Sequence, residues 1–444
     1  MKKKALITAM LLAFAISTPV AAKEKKRKKS SGQAQSSSAV VDEAPAELPQ
    51  EEKKPAKAPE INVKPGASLQ TDLRFHSYPS DTPFSKDDHV ANFDIRRARF
   101  DVSGDVGETY SGKLSIDLAT GAKLKNAYIN YKFFEPAQIQ VGQFSVPFGN
   151  EALGSSMAQE FIEDSSAAKA IDPGSDRGII LHGDAFDGIL AYDTGFMNGT
   201  GENVADNNDS MDFVLRTVVG SAKDSDSFFK YWLGFSFNSG SQTAVDGDSI
   251  KIATETASGT TLFRAAWPVD QQYSRTRYGF DATTLLGIGM LKFEYLFANY
   301  DFTKSATLSG GNLMASIFLT GEQRAVKNSF FTSQTVESPL DFETGGFGAI
   351  ELTTRYSWFN ADSAFFTTNG LFDGWKAVSA TKYTDSGFAL TTGLNWYPEQ
   401  KVRIMFNWVN TFASKPKNID APAEGAKGTK RIEQAFLFRF QLAL

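Results

Sequence analysis

The stretch Gln138-Ile-Gln-Val-Gly-Gln-Phe-Ser-Val146, closed by Pro147-Phe148-Gly149 and followed by Asn150 to Asp176, decides the fold. The first run alternates polar and apolar residues, the period of a half-buried strand. A second strand-like run resumes at Gly178-Ile-Ile-Leu-His182. The roughly 27 residues between them, rich in Ser, Ala, Glu and Asp, carry no strand pattern; a connection of that length inside a compact domain marks either a wrong assignment or a functional loop. In a closed barrel such a loop has a place to go. It folds into the lumen and narrows it.

Working outward, the alternation continues on both sides. Leu69, Leu73 and Phe75 share one parity, and Gln70, Asp72, Arg74 and His76 the other. Ala98-Phe100-Val102 alternates with Arg97-Arg99-Asp101-Ser103, Leu114-Ile116-Leu118 with Lys113-Ser115-Asp117, and Ala127-Ile129-Tyr131-Phe133 with Asn126-Tyr128-Asn130-Lys132. A period of two puts each set on its own face. Further runs near 177–185, 189–197, 211–219, 228–238, 275–286, 290–301, 312–322, 348–360, 387–397, 401–412 and 434–444 bring the total to about 16 strands. Short connections alternate with long ones at 79–91, 149–176, 198–210, 239–274, 302–311, 361–386 and 413–432. That spacing predicts an all-β chain: a transmembrane antiparallel β-barrel with a long loop folded into the lumen and its long connections outside the cell. Residues 323–347 resist this pattern, being long on the side that calls for short turns. The final run, Phe436 to Leu444, also alternates; a hydrophobic strand at a chain end leaves an open edge unless it pairs with the first strand.

Composition and leader agree with export. Met1-Lys-Lys-Lys4, the apolar Ala5 to Ile16 and the small Val20-Ala21-Ala22 read as a secretory signal peptide over 1–22, too short to span a membrane as a helix. The chain has no Cys, which excludes disulfides, thiol catalysis and thiolate metal sites. Residues 23–66 read as a disordered basic and Pro-Ala-Ser-rich segment, with the charge run Lys23–Lys29 offering a tether to an anionic partner in the envelope. The barrel is expected over 67–444. Its 37 Phe, 13 Tyr and 6 Trp fit an outward apolar band with aromatic girdles against lipid, the alternative being an aromatic-rich soluble sandwich.

Several blocks, in order, resemble the phosphate-selective porin family of Gram-negative outer membranes (porin O and P). They are Arg96-Arg97-Ala98-Arg99-Phe100 to Gly104, Gly142-Gln143-Phe144-Ser-Val-Pro147-Phe148-Gly149-Asn-Glu151, Leu319-Thr320-Gly321-Glu322, Gly345 to Ser357, Gly393-Leu394-Asn395-Trp396-Tyr397-Pro398 and Phe438-Arg439-Phe440-Gln441. The resemblance implies a 16-stranded homotrimeric porin that carries anions past inward basic side chains, with a lysine in the constriction loop; Lys169 is the candidate. Two features depart from the family pattern. The chain closes on Leu444 rather than an aromatic residue. The dense alternating Arg run of phosphate-specific members is missing, since 211–220 offers only Arg216 and 228–238 only Lys230.

The formal net charge of −5 looks wrong for an anion pore, but parity sorts the charges. Opposite the apolar set lie Arg74, Arg97, Arg99, Lys113, Lys132, Arg216, Lys230, Arg275, Arg277, Lys292, Arg355, Arg403 and Arg439. Fewer acids share that face, and Asp87, Asp88, Glu160, Glu163, Asp164, Asp206 and Asp209 fall in the loops. The expectation is a modestly basic lumen beneath an acidic rim, biased toward phosphate or other small anions. Pairing across the wall competes with that role, with Arg97–Asp101 and Glu351–Arg355 as candidate pairs. The competing functions are a broad or cation-tolerant porin governed by the acidic loops, and a structural barrel tethering the envelope through Lys23–Lys29. No catalytic motif, metal site, cofactor or nucleic-acid partner is expected; the surroundings of the barrel are outer-membrane lipid.

Overall fold

The computed structural model describes residues 59–77, 89–206, 209–223, 225–243, 251–266, 272–301, 305–366, 371–372, 375–376, 384–414 and 431–444. Residues 1–22, where a signal is expected, and most of the 23–66 segment lie outside the described residues, as do Asp87, Asp88 and nearly all of the 413–432 connection. In chain order the strands are β1 (Ile61–Ser77), β2 (His89–Val106), β3 (Tyr110–Asp117), β4 (Lys123–Phe134), β5 (Ala137–Ser145), β6 (Ser175–Ala185), β7 (Leu190–Met197), β8 (Asp212–Gly220), β9 (Phe229–Thr243), β10 (Lys251–Glu255) and β11 (Thr261–Ala266). Then follow β12 (Gln272–Leu286), β13 (Gly289–Asp301), β14 (Ser305–Phe318), β15 (Arg324–Lys327), β16 (Phe330–Gln334), β17 (Ala349–Ala361), β18 (Leu371–Phe372), β19 (Trp375–Lys376), β20 (Ser386–Glu399), β21 (Val402–Ala413) and β22 (Arg431–Ala443).

Sixteen of these described strands close an antiparallel barrel in the order β1 to β9, β12, β13, β14, β17, β20, β21, β22. Closure is made as the alternation requires: β22 pairs with β1, Leu442 opposite Leu69 and Phe436 opposite Phe75. With no free edge, every strand has a neighbour on both sides, which is what a backbone needs where no water is available to bond it. Phe75, Phe100, Leu114, Ile129, Val141, Phe280 and Leu313 point outward and are exposed. Outward rings pair across strands, as Trp408 does with Phe436 (centroids 6.3 Å apart) and Tyr110 with Tyr131 (5.0 Å). Among the described residues no helix is long and apolar enough to cross a membrane.

Three expectations about boundaries need correction. β1 begins at Ile61, so 61–66 belong to the barrel and not to the preceding polar segment. β14 begins at Ser305, so the connection placed at 302–311 is much shorter. Residues 323–347, long where a short turn is expected, hold a two-stranded hairpin of their own, β15 and β16, on the end of the barrel that carries the short turns.

The long loop folds inward. Val146 N–H bonds the Gly174 carbonyl at 2.8 Å, closing the loop neck. Gly149 then turns the chain with φ +66°, where a Cβ would stand 2.9 Å from Glu294 Oε1. Near its end the loop forms a short helix, α1 (Ser166–Ile171), with Ser165 Oγ capping Ala168 N–H at 3.3 Å. α1 buries Ala167, Ala168 and Ile171. It lies so close to the wall that a Cβ on Gly310 would come within 2.8 Å of the Ala167 methyl. Phe144, Phe148, Ile171, Phe263, Leu296, Tyr300, Phe359 and Phe365 form one buried apolar cluster beneath the long connections. Part of the lumen is therefore packed, not wet.

Candidate functional site

Burial divides the barrel wall in two. Inward residues of β8, β12, β13, β17 and β20 are buried, because the loop and the hairpin pack against them. Along β2 to β5 most inward residues stay half-exposed. The inward side chains that stay accessible are therefore concentrated on that wall.

The densest charge on this wall surrounds the start of β2. Register between β1 and β2 shifts at Gln70/Thr71: Arg97 faces Gln70, Ile95 faces Thr71, and Arg96 is the extra residue of a bulge. The bulge turns Arg96 inward beside Arg97. Arg96 Nε lies 3.1 Å from Glu163 Oε1, a residue of the inserted loop. Arg74 reaches the same carboxylate at 2.7 Å and Asp72 at 2.8 Å. Arg439 embraces Asp72 at 2.7 and 2.8 Å and stands 3.9 Å from Glu163. Arg99 pairs with Asp117 at 3.0 Å and donates to Ser156 Oγ at 2.9 Å. Arg97 differs from all of these. It donates to Gln70 Oε1 at 2.8 Å, and no carboxylate among the described residues comes within ion-pair distance of it.

Below this cluster, toward the short-turn end, Lys113 stands 3.5 Å from Asp101 and Lys132 2.6 Å from Glu135. Both are half-exposed. Lys132, Glu60, Asp105, Glu108 and Glu135 line a cavity of about 640 Å³ at the barrel mouth. Lys230, at the same end of β9, is half-buried and has no ion pair among the described residues.

The remaining candidates are locked into the packed wall. Arg216 pairs with Asp281 at 2.7 and 3.2 Å, and Arg275 with Asp212 at 2.8 Å. Arg277 donates to Asn238 Oδ1 at 2.7 Å, and Arg403 to Gln441 Oε1 at 3.1 Å. Arg355 pairs with Glu151 and lies 4.5 Å from the Phe161 ring centroid. Arg216, Arg275, Arg277, Arg355 and Arg403 are each buried. Parity aimed them inward, and packed elements cover them. Lys169 is likewise engaged, with Glu163 at 3.2 Å and Glu255 at 3.3 Å. The expected pairings also change: Arg97 bonds Gln70 and not Asp101, while Glu351 takes Arg324 and Arg355 takes Glu151.

The expectation of an acidic rim fails for Glu160 and Glu163 of the inserted loop, while Asp206 and Asp209 are exposed. Glu151, Glu160 and Glu163 sit inside the lumen; Glu160 lies 3.4 Å from Lys292 and 3.6 Å from Arg324. Burial pushes Glu163 up, but Lys169, Arg96, Arg74 and Arg439 outweigh it and hold the group well below the usual carboxylate range. Burial, then Glu151 and Glu163, pushes Asp164 up to about 6. The loop thus neutralises much of the basic wall it covers. Sequence reading missed Arg96, Arg324 and the inward course of these acids. Only the first had a local signal: Ile95 and Ala98 both face outward yet are three residues apart, which requires one extra residue between them.

A model of the family described as phosphate-selective porin O and P matches residues 69–440. No curated protein matches the chain. Among solved structures the chain is similar to an anion-selective porin from Comamonas acidovorans, at 10% identity over 87% of this chain and 100% of that one, with a TM-score of 0.50. It is also similar to the outer membrane channel DcaP of Acinetobacter baumannii, at 9% identity over 86% and 97%, TM-score 0.51. A third is the trimer form of OmpT from Vibrio cholerae, at 10% identity over 86% and 99%, TM-score 0.50. At such identities the likeness is one of fold.

Proposed function

The chain belongs to the phosphate-selective porin O and P family and is an outer-membrane β-barrel porin; from that premise we propose that it is a passive diffusion pore preferring small anions such as phosphate or other oxyanions. The observation that carries the preference is Arg97. It is an inward cation on the half-exposed wall with no carboxylate at ion-pair distance among the described residues, and Arg74, Arg96, Arg99 and Arg439 surround it. The cluster holds more guanidinium groups than the carboxylates Asp72, Asp117 and Glu163 neutralise. An anion leaving it meets Lys113 and then Lys132 on its way to the periplasm. Rings and tracks of Arg and Lys bias a pore in this way.

With most other arginines already paired inside the packed wall, the preference is electrostatic and graded, without a tight phosphate site. The pore works as a homotrimer, its first 22 residues act as an export signal, and Lys23–Lys29 forms a periplasmic arm for an anionic envelope partner. Glu160 and Glu163 inside the lumen favour a second reading, a cation-tolerant pore.

Reversal potentials in asymmetric KCl separate the two. The wild-type pore is expected to favour anions, and Arg97→Gln with Arg99→Gln to shift it toward cations. Titrating phosphate against chloride should reduce conductance only gradually. A wild-type pore that prefers cations at high salt would overturn the anion reading, and micromolar phosphate block would overturn the absence of a tight site.

A further inference from the structure

We propose that the periplasmic hairpin β15–β16 holds the constriction loop in its narrowing position, with Ser329 as the positioning residue that ties the hairpin tip to Asn150. The inference rests on the chain being a pore, though not on which ions the pore prefers.

The hairpin is rooted between β14 and β17 and its tip reaches β6, nearly opposite in the barrel order. There Asn328 Nδ2 donates to Asp184 Oδ1 at 2.8 Å, and Lys327 Nζ stands 3.0 Å from Asp184 Oδ2. Asn328 and Ser329 have φ values of 51° and 73°, the left-handed pair that a two-residue hairpin turn demands. That turn aims the Ser329 hydroxyl and carbonyl at the start of the constriction loop. Asn150 Nδ2 donates to Ser329 Oγ at 2.7 Å and to Ser329 O at 3.1 Å. Ser329 Oγ donates onward to Asp281 Oδ2 at 3.0 Å. Asn150 and Ser329 are buried, at 3% and 0% exposure, so no bulk water replaces these bonds.

Without the Ser329 hydroxyl, the Asn150 amide keeps the residue 329 carbonyl at 3.1 Å for one N–H, and the nearest side-chain acceptor left to the other is Asp281 Oδ2 at 3.4 Å. That carboxylate is already committed to Arg216. A buried donor left without a good partner is costly, so the loop start loses its reason to stay seated. The hairpin holds the loop at a second point. Arg324 lies 3.6 Å from Glu160, and its removal leaves that loop carboxylate only Lys292. Phe330 lies beside the node as well: its ring centroid is 5.3 Å from the Arg216 guanidinium, and a Cβ on Gly154 would meet the ring at 3.9 Å. The wall holds the same loop start through Glu294, which accepts from the Asn150 and Glu151 N–H groups. The loop therefore hangs from the extracellular end of β5 and β6 while a strut from the periplasmic end props it. Its position answers to both sides of the membrane.

The test is a double-mutant cycle on the full-length pore in planar bilayers: Ser329→Ala, Asn150→Ala and both together. Loss of one buried hydrogen bond should raise the time spent in a higher-conductance substate about fivefold in Ser329→Ala, and by at least as much in Asn150→Ala, which also gives up the bond to the Ser329 carbonyl. Because the hydroxyl bond is already gone in Asn150→Ala, the double variant should match Asn150→Ala alone, not the product of the two. Barrel closure is checked by the heat-dependent shift of mobility in SDS gels. Asn150 lies outside every strand, so if Ser329→Ala does not assemble, Asn150→Ala decides alone. Unchanged substate occupancy in Asn150→Ala, or single effects that multiply in the double variant, overturns the proposal. The readout compares each variant with wild type at a fixed potential. A pore of the opposite ion preference therefore leaves the result intact.

Discussion

Replacing Glu163 by Gln removes the one carboxylate that four basic groups share. Arg74, Arg96, Lys169 and Arg439 lie 2.7, 3.1, 3.2 and 3.9 Å from it. The group is held well below the usual carboxylate range by Lys169, Arg96, Arg74 and Arg439 against the opposing effect of burial, so it carries a full charge at every pH used for conductance work. An ion passing about 8 Å away through water feels that charge by about 0.5 kcal/mol. Removal favours the anion and disfavours the cation by the same amount, so the permeability ratio moves by about 1 kcal/mol, about fivefold toward anions. The assay is the reversal potential of the purified pore in a planar bilayer across a tenfold KCl gradient, repeated at low and high salt. The shift should shrink at high salt, where screening shortens its reach to a few ångströms. A shift toward cations, or none at low salt, refutes the argument that loop carboxylates offset the basic wall. Gln keeps the shape and part of the hydrogen bonding, but four cations lose their shared partner. Urea titration of the variant separates a loosened loop from a changed field.

Asp172 gives the loop a pH dependence. Burial pushes it up to about 7, with Asp164 adding to the rise and the Gly174 N–H opposing it. A carboxyl raised above its unfolded value near 3.9 stabilises the folded arrangement while protonated; that contribution is complete below about 4 and is lost as pH rises through about 7. Loop amides should therefore exchange faster at pH 8 than at pH 6 after correction for the intrinsic rate. Asp172→Asn should erase the difference, and a wild-type loop indifferent to pH over this range removes the basis for it. A cysteine at the exposed Ser155, in a chain with no other thiol, should react with an impermeant reagent and lower conductance in proportion to labelling; full labelling with unchanged conductance refutes the lumenal placement.

The strands were readable because alternation is a local property. Each run such as Leu114-Ser-Ile-Asp-Leu118 sorts its own residues between two faces without knowledge of its neighbours. Closure was readable for a related reason, since the apolar face of 436–444 needs a partner strand, and β1 is the partner found. The same logic placed Arg97 and Arg99 inward. It missed Arg96 because a bulge breaks the period it relies on, although the outward pair Ile95 and Ala98 marks the break.

Face assignment has no meaning for residues outside strands, and there the charge balance of the lumen was lost. Glu151, Glu160 and Glu163 look like rim charges in a loop of no period. They become lumenal only because the loop neck closes, Gly149 turns the chain back and α1 packs against Gly310. The hairpin is equally silent in sequence, since Arg324 gains its role from Glu351 and Glu160, residues far away along the chain. Both errors act in one direction. Counting strand faces alone overstates the basic excess, because each inserted element brings partners for the arginines it covers. What survives that correction is Arg97, which among the described residues has no carboxylate at ion-pair distance and lies on the half-exposed wall. A preference for anions therefore depends less on how many arginines face inward than on which of them the loop leaves unneutralised.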